Sequence, residues 1–542
     1  MVRGTREIKI IYAAIVLFFG IFLVFPGIMM ALEIFRDGNI GQVLYRVFSE
    51  NEFGEAFLNS ITVSIFSALI TVMLAFVLAY SVHFTNIPPF VKSIIKVLSV
   101  FPMLLPTMTY GFGIMYSFGE QGLITKILGR QFFDIYGFNG LVIGYVIYTL
   151  PIAFLLISNT LNYVDKNFII VSKLMGDSPL RSFGVTIIRP IVGTLGAAFV
   201  QSFFLSFTDF GIPSAIGGAY RVVATSLYGT MLGAVPDFAG GAIIAITMLL
   251  PSILSIVLLT WLDKFNFRYD KVTKVVIKKN KMRDVLWSLI ALCIIGFMLS
   301  IFLVIFIVPF AKMWPYRLDF TMENFNRILG DAKIIDIYKN SILVALATAV
   351  IGTLIAYGGA LVTERSNLSK RVAGVISSFA LVINTVPGMV LGLAFLFAFS
   401  GGGLQNTVVI LVICNIIHFY STPYLMMKNS LSKMNGSWET TAMLMGDSWL
   451  KTIVRVVTPN AKNTILEVLE YYFINSMVTI SAIIFLTSAK TMVMTSKIKE
   501  LQYMAKFDEI FVYSILILAT NLIVKVIVKI ITGRKKGERN ED

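Results

Sequence analysis

The chain has 542 residues, of which 57% are hydrophobic and 14% charged, and its 45 Lys and Arg against 30 Asp and Glu give a net charge of +15. Soluble domains are roughly 45–50% apolar and about 25% charged, so this chain has too little polar surface to coat a soluble fold, and with 44 Phe it is too apolar to stay disordered. A soluble enzyme is thereby excluded, and the basic excess needs another explanation.

A bilayer-spanning helix needs about 20 apolar residues. In chain order twelve stretches qualify: 10–32, 57–82, 95–118, 139–161, 191–207, 238–261, 285–310, 341–363, 372–398, 404–427, 464–487 and 510–531. The first is longer than a signal-peptide core and lacks a small-residue cleavage site, so it reads as a retained helix. With the N-terminus inside, 29 basic residues fall on the cytoplasmic side and 14 outside, and the net charges are +17 and −2. Lys and Arg accumulate on cytoplasmic loops, so the basicity is a topology signal rather than a nucleic-acid footprint, and both termini are expected in the cytoplasm of a multi-pass cell-membrane protein. The segment 262–284, with eight basic and three acidic residues, reads as a tether over anionic headgroups between halves 1–261 and 285–542.

Cys293 and Cys414 sit in apolar runs and read as small buried hydrophobes, with no disulfide or thiolate metal site implied. His83 lies at the end of a span, and His418, in CNIIHFYST, is expected to be packed and hydrogen-bonded rather than a ligand. No metal site is expected.

Internal similarity divides the chain. Asn59-Ser60 in FLNSITVSIF aligns with Asn340-Ser341 in YKNSILVALA, and Pro106 aligns with Pro387 at the same offset of 281. Farther on, KLMGDSPLRSFGVTIIRP (173–190) aligns with MLMGDSWLKTIVRVVTP (443–459), so LMGDS occurs twice. Two homologous six-span halves follow. An even span number returns each half to its starting side, so the repeats are parallel and both LMGDS loops are expected to face the cytoplasm.

The loop residues predict an elbow. Gly176 and Gly446 end a short apolar helix where positive φ is required, Asp177-Ser178 and Asp447-Ser448 offer capping oxygens, and Pro179 suits a first helical turn. The elbow would present a short amphipathic helix, with Leu174, Met175, Leu444 and Met445 free to enter a partner's groove.

On these residues the chain resembles the membrane-spanning subunits of binding-protein-dependent ABC importers, whose loop reads E-A-A, three residues, G, nine residues, I-x-L-P. The second half supplies Glu439-Thr440-Thr441, Ala442, Gly446 and Pro459; the first half replaces the triplet with Ile169-Ile170-Val171 and sets Pro190 fourteen residues after Gly176. The resemblance implies an all-α membrane fold of twelve helices in two parallel repeats. It also implies that Lys173 to Ser178, and Glu439, Thr440, Ala442 and Leu444 to Ser448, dock on a cytoplasmic ATPase. The chain has no G-x-x-x-x-G-K-[ST] loop of its own. The resemblance therefore implies a non-enzymatic transport subunit with no cofactor of its own, ATP on two copies of a partner ATPase, and a separate extracytoplasmic solute-binding protein.

The segments FTDFGIPSAIGGAYRVVATSLYGTML (207–232) and SMVTISAIIFLTSAKTMVMTSKI (476–498) resemble fused permeases for ferric iron, 2-aminoethylphosphonate, polyamine or thiamine, most of all the first two. Intramembrane polar groups usually face a bundle interior, which makes Gln201, Ser206, Asp209, Phe210, Glu470, Asn475, Ser476 and Thr479 candidates for the pathway or its gate; interhelical hydrogen bonding is the alternative role. The repeat sets Gln201 opposite Glu470 and Ser206 opposite Asn475. Asp209 and Arg221, at the outer end, are placed to meet solute or a docked binding protein. A twelve-span ion-driven carrier is the alternative function, although SVHFTNIPPFVK lacks the charged Gly-Asp-Arg signature of the commonest such superfamily; a membrane enzyme lacks any clustered acids, histidines or nucleophile motif.

Overall fold

A computed structural model describes residues 6–36, 38–50, 53–131, 133–265, 280–366 and 368–537. The fold is all-α apart from a two-stranded antiparallel hairpin, Ala311–Met313 with Arg317–Phe320. Most of the tether expected over 262–284 lies outside the described residues.

Eight described helices are long and apolar enough to cross a bilayer: Arg6–Glu33, Phe53–Phe84, Phe138–Asn162, Pro179–Thr208, Phe238–Leu262, Lys281–Phe310, Lys333–Glu364 and Phe507–Gly533. Two further stretches pass as broken pairs, Arg371–Ile383 with Gly388–Phe399 at 108° and Val408–Phe419 with Ser421–Ser432 at 55°. The first break falls at Pro387, which caps the second helix and cannot donate into the helical ladder.

Two of the expected spans take other forms. The stretch 95–118 is divided into Pro89–Leu98, a 3-10 turn at Phe101–Leu104 and Thr107–Phe118, because Pro102 and Pro106 each remove a backbone donor. The stretch 464–487 is helical only to Val478, within Thr458–Val478, and then turns. Apolarity alone overlooked both interruptions.

Outward faces stay apolar, as bilayer contact demands: Leu250, Ile253, Leu254 and Val257 on one helix and Leu286 and Leu289 on another are exposed. Cys293 is exposed rather than buried, since it falls on such an outward face, whereas Cys414 is buried with its thiol directed to the Ala482 carbonyl at 3.4 Å. His418 also departs from expectation: its ring lies where a side chain on Gly388 would, and its Nδ1 is buried without a hydrogen-bond partner among the described residues. The His83 Nε2 does have one, Ser158 Oγ at 2.8 Å.

Candidate coupling elbows and inter-half cavity

Each LMGDS loop is an elbow. The helix Asn167–Leu174 stops at Gly176 with φ +79°, and Ser437–Leu444 stops at Gly446 with φ +83°, a conformation that glycine adopts without the Cβ penalty. The Asp177 N–H donates to the Ser172 carbonyl and the Gly176 N–H to the Lys173 carbonyl, the paired bonds of a Schellman C-cap; Asp447 N–H to Ala442 repeats the first of them. Nothing lies within 4 Å of where a Cβ would stand on either glycine, so the requirement is conformational and not steric.

Capping of the next helix falls to the serines. Ser178 Oγ accepts from Arg181 N and Ser448 Oγ from Lys451 N. The aspartates act otherwise: Asp177 accepts from Ser172 Oγ at 2.8 Å and pairs with Arg181, and Asp447 pairs with Lys451. Nor is the second arm a separate short helix. In the first half Pro179–Phe183 runs through a π turn, Gly184–Ile188, into Arg189–Thr208; in the second, Trp449–Thr452 runs through Ile453–Val457 into Thr458–Val478. The shorter arm of the second elbow accounts for the one-residue difference in glycine-to-proline spacing.

At both outer corners the apolar pair is left bare: Leu174 is 83% exposed, Met175 77%, Leu444 85% and Met445 80%. Four large apolar side chains thus stand exposed on two polar loops.

Glu439 is bound within the chain. Its carboxylate receives Arg365 on both oxygens, Nε at 2.6 Å and Nη2 at 2.8 Å, while the guanidinium also donates to the carbonyls of Met434 and Asn435. The Arg365 side chain is 4% exposed. Trp449 Nε1 closes the arrangement by donating to the Arg365 carbonyl, so the end of Ala332–Glu364 holds both arms of the second elbow. At the equivalent first-half positions the sequence has Phe84 and Ile169. Both members of the ion pair are replaced together by apolar residues, which explains why the first loop lacks the acidic triplet.

The repeated Asn-Ser pairs have matching roles at the opposite ends of the spans. Asn59 Nδ2 donates to the Arg221 carbonyl and Ser60 Oγ accepts from Val223 N at 2.8 Å; Asn340 Nδ2 donates to the Met492 carbonyl and Ser341 Oγ accepts from Met494 N at 2.8 Å. These bonds set two ten-residue helices, Val223–Leu232 and Met494–Tyr503, in register at an offset of 271. Sequence similarity marked the Asn-Ser pairs without revealing what they hold.

Lys499 and Tyr228 are thus equivalent positions, and they touch: the ammonium lies 5.3 Å from the Tyr228 ring centroid, 5.4 Å from Phe210 and 6.0 Å from Tyr503. Equivalent positions of a two-fold repeat meet only beside the axis that relates them. A cavity of about 1210 Å³ opens over this cluster, lined from the first half by Arg36, Arg46, Arg221 and Asp237 among others, and from the second by Lys499 and Tyr503. It lies beyond the C-terminal end of the 30-residue span Pro179–Thr208, whose other end carries the elbow; at 1.5 Å per residue the two sites are about 45 Å apart along the helix.

The remaining candidates scatter. Phe210 is buried and lines the cavity. Asp209 is buried, and its Oδ2 accepts from Ile212 N at 2.8 Å, so it caps a turn. Asn475 donates to its own helix at Tyr471, and the Thr479 carbonyl accepts from Thr495. Ser206 and Ser476 are buried with hydroxyls that have no partner among the described residues. Gln201 and Glu470 are half-buried, and no hydrogen bond joins them. Among the described residues no cluster of three or more His, Cys, Asp or Glu stands ready for a metal.

The sequence matches the family described as binding-protein-dependent transport system inner membrane component twice, over residues 72–268 and 349–537. It is 25% identical to a putative ferric transport system permease protein of Haemophilus influenzae over 91% of this chain and 80% of that protein. It is 25% identical to a ferric transport system permease protein of Actinobacillus pleuropneumoniae over 92% and 74%. A spermidine/putrescine permease homolog of Mycoplasma genitalium matches 34% of the chain at 24% identity. Among solved structures, a chain from a bacterial ABC transporter that imports the acidic polysaccharide alginate aligns over 48% of this chain at 18% identity and a TM-score of 0.37. With both halves matched, the chain belongs to the binding-protein-dependent transport system inner membrane components, as a fused two-half permease subunit of an ABC importer.

Proposed function

We propose that this permease carries its solute between two halves, 1–261 and 285–542, and is driven by two copies of a cytoplasmic ATPase, one seated on each elbow. The observation that carries this reading is the pair of bare Leu-Met corners on repeated, rigidly capped loops. Closure of the ATPases would rock the elbows, and the continuous helices Pro179–Thr208 and Thr458–Val478 would transmit that motion to the axis-side pair Lys499 and Tyr228. Both termini are then cytoplasmic, and the cavity faces an extracytoplasmic binding protein that delivers the solute.

Ferric iron is the proposed cargo, on the names of the two long relatives. The test is uptake into proteoliposomes of the reconstituted chain, binding protein and ATPase. Uptake should require ATP hydrolysis and should be lost in Leu444→Asp. Uptake that persists without the ATPase would replace this reading with an ion-driven carrier.

A further inference from the structure

The cavity between the halves has a chemistry that a bare metal cation does not fit. Among its described lining residues, Arg36, Arg46, Arg221 and Lys499 stand against one carboxylate, Asp237. That carboxylate is already engaged, with Arg46 Nε on Oδ2 at 2.8 Å and Arg46 Nη2 on Oδ1 at 2.8 Å. Arg36 reaches Glu33 outside the cavity at 2.7 Å.

Lys499 is the informative member. Its ammonium donates to Gln502 Oε1 at 2.9 Å and otherwise rests on the faces of Phe210, Tyr228 and Tyr503; no carboxylate lies within ion-pair distance among the described residues. Rings stabilise a cation through their quadrupoles but do not neutralise it, and burial pushes the ammonium down to about 8. A half-buried cation held in this way at the floor of an open cavity presents its charge to whatever enters the cavity.

We propose that this cavity binds an anionic oxygen-bearing group, a phosphonate, phosphate or carboxylate, which is either the solute itself or the ligand shell around a ferric ion. The inference rests on the chain being a solute permease, and it narrows the cargo: iron reaches this chain as an anionic complex. Lys499, from the second half, and Arg221, from the first, bring donors to such a group from both sides of the axis. An arriving anion offers the Lys499 ammonium a charged acceptor in place of three ring faces, and so loosens the contact with Tyr228 beside the axis.

The test uses the full chain in lipid nanodiscs and equilibrium binding of methylphosphonate, citrate, ferric citrate and the cation spermidine. At least one anion should bind, and spermidine should not. Lys499→Met should weaken anion binding by about tenfold or more, with Lys499→Arg retaining it; Arg221→Gln, on an exposed loop, gives a second reading should Lys499→Met fold poorly. Methylphosphonate binding without iron would assign the solute itself, and binding of ferric citrate alone would assign the ligand shell. Spermidine binding, failure of every anion to bind, or affinity unchanged in both variants would overturn the proposal. ATPase copurification, measured on the same preparations, reports on the permease reading separately, because it depends on the elbows at the other end.

Discussion

Lys499 and Tyr228 occupy the same position in two copies of one fold and lie in contact, ammonium over ring at 5.3 Å. Self-contact of equivalent sites puts them beside the axis of the repeat. The two copies have diverged there into complementary partners, and two identical lysines could not have packed in this way. The same contact places a cation at the base of the cavity.

Anion binding should therefore depend on pH. The empty cavity disfavours the charged form of Lys499, and its ammonium sits at about 8. A bound anion favours the charged form, so binding takes up a proton once the pH exceeds that value, and affinity should fall as pH rises through about 8. Phe210, Tyr228, Tyr503 and Gln502 face the ammonium; burial moves the Tyr228 phenol upward, out of this window. Asp237, in the same lining, is paired with Arg46. Lys499→Arg should flatten the profile, as measured by titration across the range.

The Arg365–Glu439 pair should behave as a unit. Arg365→Ala strands a largely buried carboxylate and is expected to cost about 3 kcal/mol, reduced by the residual exposure of Glu439. Arg365→Phe with Glu439→Ile copies the first half, Phe84 and Ile169, and should recover most of that loss. Thermal unfolding of the two single variants and the double variant in detergent measures the coupling.

Gly446→Ala meets no neighbour but must hold φ near +83°, at a strain of roughly 1–2 kcal/mol, whereas Gly446→Asn should be milder because Asn tolerates that region. ATPase retention on the purified chain should fall in the order Gly, Asn, Ala, and Gly176 should show the same order.

Ser60→Ala and Ser341→Ala each leave a buried backbone N–H, of Val223 or Met494, without its acceptor, a loss of about 1–3 kcal/mol. Hydrogen exchange should rise at 222–226 in the first variant and at 493–497 in the second, with the elbows unaffected.

Much of this was legible in the sequence because it is local. Apolar run length marked most spans, LMGDS marked both elbows, and the positive φ of Gly176 and Gly446 followed from their place after an apolar helix. Breaks at Pro102, Pro106 and Pro387 were hidden because hydropathy does not register a missing donor. The bond from the Ile212 N–H to Asp209 had no signal in the sequence, because a carboxylate near a solute path and one capping a turn look alike until that N–H is in place. Arg365 with Glu439, 74 residues apart, and Lys499 with Tyr228, 271 apart, had no local signal at all. Alignment of the two halves, followed by a search for paired substitutions, would have found the first, since Phe84 and Ile169 change together with it.

On the proposed function, one chain offers two elbows to two ATPase subunits. Native mass spectrometry of the chain purified with its coexpressed ATPase tests it most directly. The expected result is one permease with two ATPase subunits, and loss of ATPase subunits in Gly446→Asp. A permease that carries no ATPase, or whose ATPase content is the same with Gly446→Asp, would contradict it.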